Sequence, residues 1–188
     1  MVIGVMALQG AFIEHQKALA ACGVESIQIR KPEQLKGIKG LILPGGESTT
    51  MGKLMSQFDL LEPIVALGQR GVPIFGTCAG MIMMSKEIIG STQPRLGLMD
   101  IEVERNASGR QVESFESDLE VPELGEEPVR AIFIRAPYIE RAADHVQVLA
   151  RFGGKIVLVR QGHYLAAAFH PELTNDVRLH EYFLKMIG

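Results

Sequence analysis

The sequence predicts an α/β fold: a mostly parallel central sheet covered by helices on both faces, with antiparallel hairpin additions in the second half. Three observations carry this. Short runs rich in Val, Ile and Leu alternate with segments of helical period through the first half. Those runs are too continuously apolar to leave a wet face, as fits parallel strands buried on both sides. From Gly97 to about Arg160 the helical text gives way to strand-like segments separated by turn residues.

Taken in order, VIGVMAL (2–8) reads as a strand, and AFIEHQKALAAC (11–22), apolar at 12, 13, 19 and 20, as a helix ended by Gly23. VESIQIR (24–30) is a second strand, and GLILPGG (40–46) a third that runs into a Pro-Gly-Gly loop. Helical text from about 50 to 69 is expected to break near Pro63. VPIFG (72–76) is a fourth strand and AGMIMMSKEII the helix after it. LMDIEVERN, RQVESFESDLEV, VRAIFIRAP, VQVLARFGG and KIVLVRQG are the antiparallel additions. LAAAFHPE (165–172) is the last core strand, and NDVRLHEYFLKMIG a closing helix with Asn175 as its cap.

At 188 residues, 47% of them hydrophobic, the chain suits one well-covered core, so a single domain over 1–188 is expected. A net charge of -3, with Lys and Arg scattered, gives no electrostatic footprint for nucleic acid or an anionic membrane. MVIGVMALQGAF has no basic leader and breaks at Gly10, so it is expected to be a first strand and not a signal peptide, and no other stretch approaches a membrane span. Two cysteines without a CxxC pair point to a reducing, cytoplasmic setting.

Gly76-Thr77-Cys78-Ala79-Gly80 has the form G-x-C-x-G between a strand and a helix. A tight turn there forces the central residue into strained dihedrals, and glycines two positions either side remove side chains that would collide. The thiol is pushed out at the carboxyl end of the sheet, against the positive end of the following helix, which favours a thiolate. The Ala79 N–H is placed to meet a developing oxyanion. A buried cysteine that only packs is the plainer alternative. Cys22, before a glycine stop, reads as structural.

A thiol nucleophile needs a base, and the base an orienting partner. Of the five histidines, His170 ends an apolar strand and is followed by Pro171 and Glu172. In an extended segment residues two apart face the same side, roughly 6.5–7 Å apart, so imidazole and carboxylate can converge. The alternative is an ordinary histidine at a strand end. His15 and His180 fall in helical text and are expected to be solvated; His145 and His163, near strand starts, are reserve candidates. In LPGGEST, the paired glycines let backbone N–H groups approach a negative oxygen, or simply turn the chain, with Ser48 or Thr49 capping the next helix. The loop lacks the Lys of a phosphate-binding P-loop.

Together LILPGGEST, PIFGTCAGMI and FHPELT resemble the class I, triad glutamine amidotransferases, whose fold is flavodoxin-like. GVMALQGAFIEH, ILPGGESTTM, GTCAGMI, GLMDIEVERNASGRQVESFE, FIRAP and AFHPELT are similar to the PdxT family, glutaminase subunits of pyridoxal 5'-phosphate synthase, from the first strand to the last helix.

The resemblance implies Cys78 as nucleophile, His170 as base and Glu172 as the residue orienting it. It implies L-glutamine contacts from Gly46, Glu47, Ser48, Arg105, Ile134 and Arg135, with Gly46 and Ala79 forming the oxyanion site. It implies hydrolysis of L-glutamine to glutamate and ammonia through a cysteinyl thioester, with no cofactor and no metal. The ammonia would pass to a synthase subunit, a phosphate-binding barrel, in a complex of twelve synthase chains carrying up to twelve glutaminases. Members are expected to be poorly active alone, and docking to rearrange Gly45-Gly46. Two other readings are open to the residues: an elbow-cysteine hydrolase of the DJ-1/PfpI type, which requires neither HPE nor PGGES, and a non-enzymatic binding subunit.

Overall fold

The computed structural model describes residues 1–105 and 114–188. Residues 106–113, which include the start of the expected RQVESFESDLEV strand, lie outside the described residues.

The order is β1 (Val2–Met6), α1 (Phe12–Ala21), β2 (Glu25–Ile29), β3 (Gly40–Leu43), α2 (Ser48–Gln57), α3 (Leu61–Gln69), β4 (Ile74–Thr77), α4 (Ala79–Met84), β5 (Ser85–Ile88) and β6 (Met99–Glu104). Then follow β7 (Ser114–Leu119), β8 (Val129–Ile134), β9 (Tyr138–Ala142), β10 (Gln147–Phe152), β11 (Lys155–Gln161), β12 (Tyr164–Ala167), a 3₁₀ turn (Pro171–Leu173) and α5 (Arg178–Lys185). The main sheet runs β2-β1-β3-β4-β12-β11-β9-β6-β5, with β10 paired to β11. From β2 to β12 every pair is parallel, as is β5 with β6; β11, β9 and β10 are added antiparallel. β7 and β8 form a separate antiparallel pair.

Side-chain alternation along β4 explains the two helical layers. Phe75 packs against His15 of α1 and against His180 and Phe183 of α5. Ile74 and Gly76 face the other way, where Gly68 of α3 approaches Ile74 and Gly80 of α4 approaches Gly76. The strands β1, β3, β4 and β12 are almost wholly buried, which is why they read as unbroken apolar runs.

Four local expectations are corrected. The break in the 50–69 helix falls at 58–60, where Asp59 takes φ 54°, while Pro63 sits in the first turn of α3; there its missing N–H has no intrahelical partner to lose. The helix after Cys78 ends at Met84, where the Ser85 hydroxyl donates to the Ile82 carbonyl (2.7 Å), and Ser85–Ile88 pairs with β6 instead. An apolar run that suits both periods cannot settle this locally. The last core strand stops at Ala167, because the Ala168 and His170 N–H groups go to Val157 and Ile132 and draw the chain off the parallel ladder. Asn175 caps nothing in α5; Asp176 accepts the Arg178 N–H (3.1 Å) and its guanidinium.

Candidate active site

Cys78 lies between β4 and α4 with φ 49° and ψ -106°, a conformation L-residues rarely hold and one that costs of order 1–3 kcal/mol. The surroundings impose it. Cys78 N–H donates to the Ala167 carbonyl (2.8 Å) and its own carbonyl accepts from Ile82 N–H (3.2 Å), so the chain must pass from strand to helix within one residue. A Cβ on Gly76 would stand 2.6 Å from the Gly80 carbonyl carbon and from the Met84 sulfur, and one on Gly80 would collide with the Leu43 carbonyl. Both glycines are therefore required by space. Ala79 opens α4, so its N–H has no partner within the helix.

Glu172 reaches His170 because Pro171–Leu173 winds into a 3₁₀ turn, and not because the chain is extended. Its Oε1 lies 2.6 Å from His170 Nδ1, both groups buried. The imidazole is pushed down by burial, but its hydrogen bonds to the Cys78 sulfur and the Glu172 carboxylate, with their charges, outweigh that and raise it to about 10. The pair is thus set up as an imidazolium beside a sulfur. The three side chains come from β4–α4 and the turn after β12, neighbouring strands whose carboxyl ends share one rim.

The glycine loop closes one side. Gly45 is buried against the His170 ring, so that a Cβ there would fall 2.9 Å from Nδ1. The Gly45 carbonyl accepts from Ala11 N–H (3.1 Å), and a side chain on Gly10 would strike it. Gly46 takes φ 156° and presses on the Gln9 amide, whose Oε1 accepts from Glu47 N–H (3.1 Å).

Neither Ser48 nor Thr49 caps α2; Glu47 does. Its carboxylate accepts from Thr49 N–H (2.9 Å), Thr50 N–H (2.7 Å) and the Thr50 hydroxyl (2.6 Å). Burial alone pushes this carboxyl up, but those bonds lower it to about 2. Oε1 keeps a lone pair for a cation such as an α-ammonium. Arg105 Nη1 donates to Gln93 Oε1 (2.7 Å) and to the Thr49 hydroxyl (3.1 Å), and the buried Ser48 hydroxyl lies 3.5 Å from the same oxygen. Ile134 ends β8, just past the Ile132 carbonyl that receives the His170 N–H, and Arg135 follows it with φ 43°.

The structure therefore brings Cys78, His170 and Glu172 together, sets Gly45 against the His170 ring and the adjoining Gly46 against Gln9, and joins Ser48 to Arg105 through Gln93. His145 pairs with Asp100 at the exposed far edge (2.8 Å), and His163 with the Gly68 carbonyl (2.7 Å), so neither reserve histidine reaches the thiol. His15 and His180, expected to be solvated, are fully buried. No role is expected from sequence for Gln9, Gln93 or Thr77, and these two histidines are expected in water instead of in the core. The signal for His15 was present: it stands three after Phe12 and four before Leu19, on the buried stripe of α1.

The SNO glutamine amidotransferase family model matches residues 5–188. The chain belongs to that family. Among its similar relatives, the pyridoxal 5'-phosphate synthase subunit PdxT of Desulforamulus reducens is 75% identical over 187 residues, covering 100% of both chains. The PdxT subunit of Pelotomaculum thermopropionicum is 70% identical, covering 98% of this chain and 94% of its own. A crystal structure described as a glutamine amidotransferase superposes with a TM-score of 0.95 at 53% identity, covering both chains in full. PurLQS from Thermotoga maritima shares the fold alone, with a TM-score of 0.75 at 19% identity. Membership of the SNO family, with the HPE turn and the PGGES loop both present, separates this chain from the DJ-1/PfpI reading, which requires neither.

Proposed function

We propose that this chain is the glutaminase subunit of a pyridoxal 5'-phosphate synthase, hydrolysing L-glutamine and handing ammonia to a partner synthase subunit. The observation that carries the chemistry is Cys78 on its strained elbow, beside a His170 that Glu172 holds at 2.6 Å. The Cys78 sulfur attacks the side-chain amide carbon. The carbonyl oxygen takes the negative charge and is met by the N–H groups of Ala79 and Gly46. His170 gives its proton to the amide nitrogen, the C–N bond breaks, and ammonia leaves a thioester. The imidazole then takes a proton from water, the hydroxyl adds to the thioester, and the C–S bond breaks; the acid released loses its proton to solvent as glutamate, and the sulfur is returned beside the imidazolium.

Arg105 suits the substrate α-carboxylate, since a guanidinium presents a planar fork. Glu47 suits the α-ammonium, and the backbone at Ile134 and Arg135 the remaining polar groups. The partner is a barrel that accepts ammonia within an assembly of twelve chains of each kind, and both free cysteines, Cys22 and Cys78, fit a cytoplasmic setting. No helix among the described residues is long and apolar enough to cross a membrane. Docking acts on Gly45-Gly46: the bond from Ala11 N–H to the Gly45 carbonyl must break for that peptide to turn, while the Glu47 N–H bond to Gln9 holds the next peptide along.

The test is glutamate release, measured with the synthase present. Cys78→Ala and His170→Asn should each abolish it, and undiminished turnover in either overturns the assignment. Equal glutaminase rates with and without the synthase would sink the docking claim.

A further inference from the structure

Behind the triad lies a buried polar chain that the proposed mechanism does not use. His15 of α1 and His180 of α5 are fully inaccessible, with His15 Nδ1 2.9 Å from His180 Nε2. His15 Nε2 lies 3.0 Å from Thr77 Oγ1, one residue before the nucleophile, and 3.5 Å from Glu172 Oε2. That second carboxylate oxygen has no hydrogen-bond partner among the described residues, and neither has His180 Nδ1.

Hydrogen-bond accounting selects the tautomers. If His15 carried its proton on Nδ1, its bare Nε2 would face a carboxylate, and His180 would be left with a buried N–H that has no acceptor. Orphaned buried donors are rare and costly. The reverse arrangement leaves only a bare lone pair on His180 Nδ1. His180 Nε2–H then donates to His15, and His15 Nε2–H points at Thr77 and Glu172. Both rings are held neutral: burial, then the nearby His180 and His170, push His15 well below its ordinary value, and burial lowers His180.

We infer that His15, its tautomer set by His180, is a positioning residue that anchors the outer oxygen of Glu172 so that the inner one stays aimed at His170 Nδ1. The 3₁₀ turn fixes the Glu172 backbone but leaves its side-chain torsions free. The inner oxygen is held by His170, and the His15 N–H, which is bonded to Thr77 but lies only 3.5 Å from the outer oxygen, attracts that oxygen and resists rotation of the carboxylate. The inference rests on the triad reading above.

The experiment compares His15→Leu, His15→Gln and His180→Phe in the presence of the synthase. Active sites are counted by labelling Cys78 with a diazoketone analogue of glutamine. His15→Leu should lower kcat per labelled site by about tenfold or more, with KM within about twofold. It should also move the alkaline limb of the rate–pH profile to lower pH, because His170 loses part of its carboxylate support. His15→Gln, which keeps a donor directed at Glu172, should recover to within about threefold of the parent. Adding His180→Phe to His15→Leu should cost nothing more, since the two act as one chain. An unchanged kcat and pH limb in His15→Leu overturns the inference, as does His15→Gln impaired as badly as His15→Leu. If His15→Leu fails to fold, His180→Phe carries the test: kcat per labelled site and the limb should both fall, and parent-like values refute the role. Should Cys78→Ala or His170→Asn stay active, the triad reading itself falls and takes this one with it; full inactivity in those two with a parent-like His15→Leu removes this inference alone.

Discussion

Gly45→Ala isolates the contact between the glycine loop and the catalytic imidazole. Gly45 is not among the residues of positive φ, so alanine meets no backbone strain there. Its Cβ, however, would fall 2.9 Å from His170 Nδ1 and closer still to Cε1. Carbon packs at about 3.5–4.0 Å, so ring and loop must separate by roughly 1 Å. The ring cannot yield freely, because Glu172 holds Nδ1 at 2.6 Å and the Cys78 sulfur holds its other side. A displacement of that size costs about 10²-fold in a positioned reaction, and overpacking costs about 1–3 kcal/mol of stability. Glutamate release at saturating glutamine should therefore fall about a hundredfold while the protein still unfolds cooperatively. Alkylation of Cys78 by iodoacetamide, which needs the sulfur–imidazole pair but no oxyanion site, separates the causes: it should slow with the loss of turnover. A folded Gly45→Ala protein with near-parent turnover would refute the wedge argument. Slow turnover with parent-like alkylation would place the damage in the oxyanion loop instead.

Three other perturbations have stated outcomes. His180 is lowered to about 4 by burial, so between that value and its unfolded 6.5 the unfolded chain binds the extra proton. Stability from this site is present above 6.5 and lost as pH falls toward 4, by about 3 kcal/mol; urea unfolding of the parent against His180→Phe should show that slope only in the parent. Glu47→Ala should cost about 1 kcal/mol through the lost cap of α2. Because this carboxyl is lowered to about 2, the deficit should be present above its unfolded 4.5 and fade as pH drops below it, a trend thermal melts across that range would detect. Arg105→Lys should raise KM for glutamine about tenfold or more with kcat little changed, since a point charge cannot hold Gln93 and Thr49 and still present a planar fork; steady-state kinetics decide it.

The sequence by itself determined the parallel half of the sheet and the elbow. Buried parallel strands must be continuously apolar, and a one-residue turn from strand to helix must have small neighbours at fixed offsets; both are local constraints that leave a local trace. It also carried Cys78, His170 and Glu172 as candidates, although the supposed extended geometry for the last two was a 3₁₀ turn. Tertiary structure alone decided where SKEI pairs, because the same letters suit helix and strand until β6 offers a ladder. It alone decided that Gln93 ties Ser48 and Thr49 to Arg105, residues far apart along the chain. His15 and His180 show why: each lies on the apolar stripe of its helix, but whether a histidine there meets water, carbon or another imidazole depends on what the opposite helix brings, and no spacing within one segment encodes that.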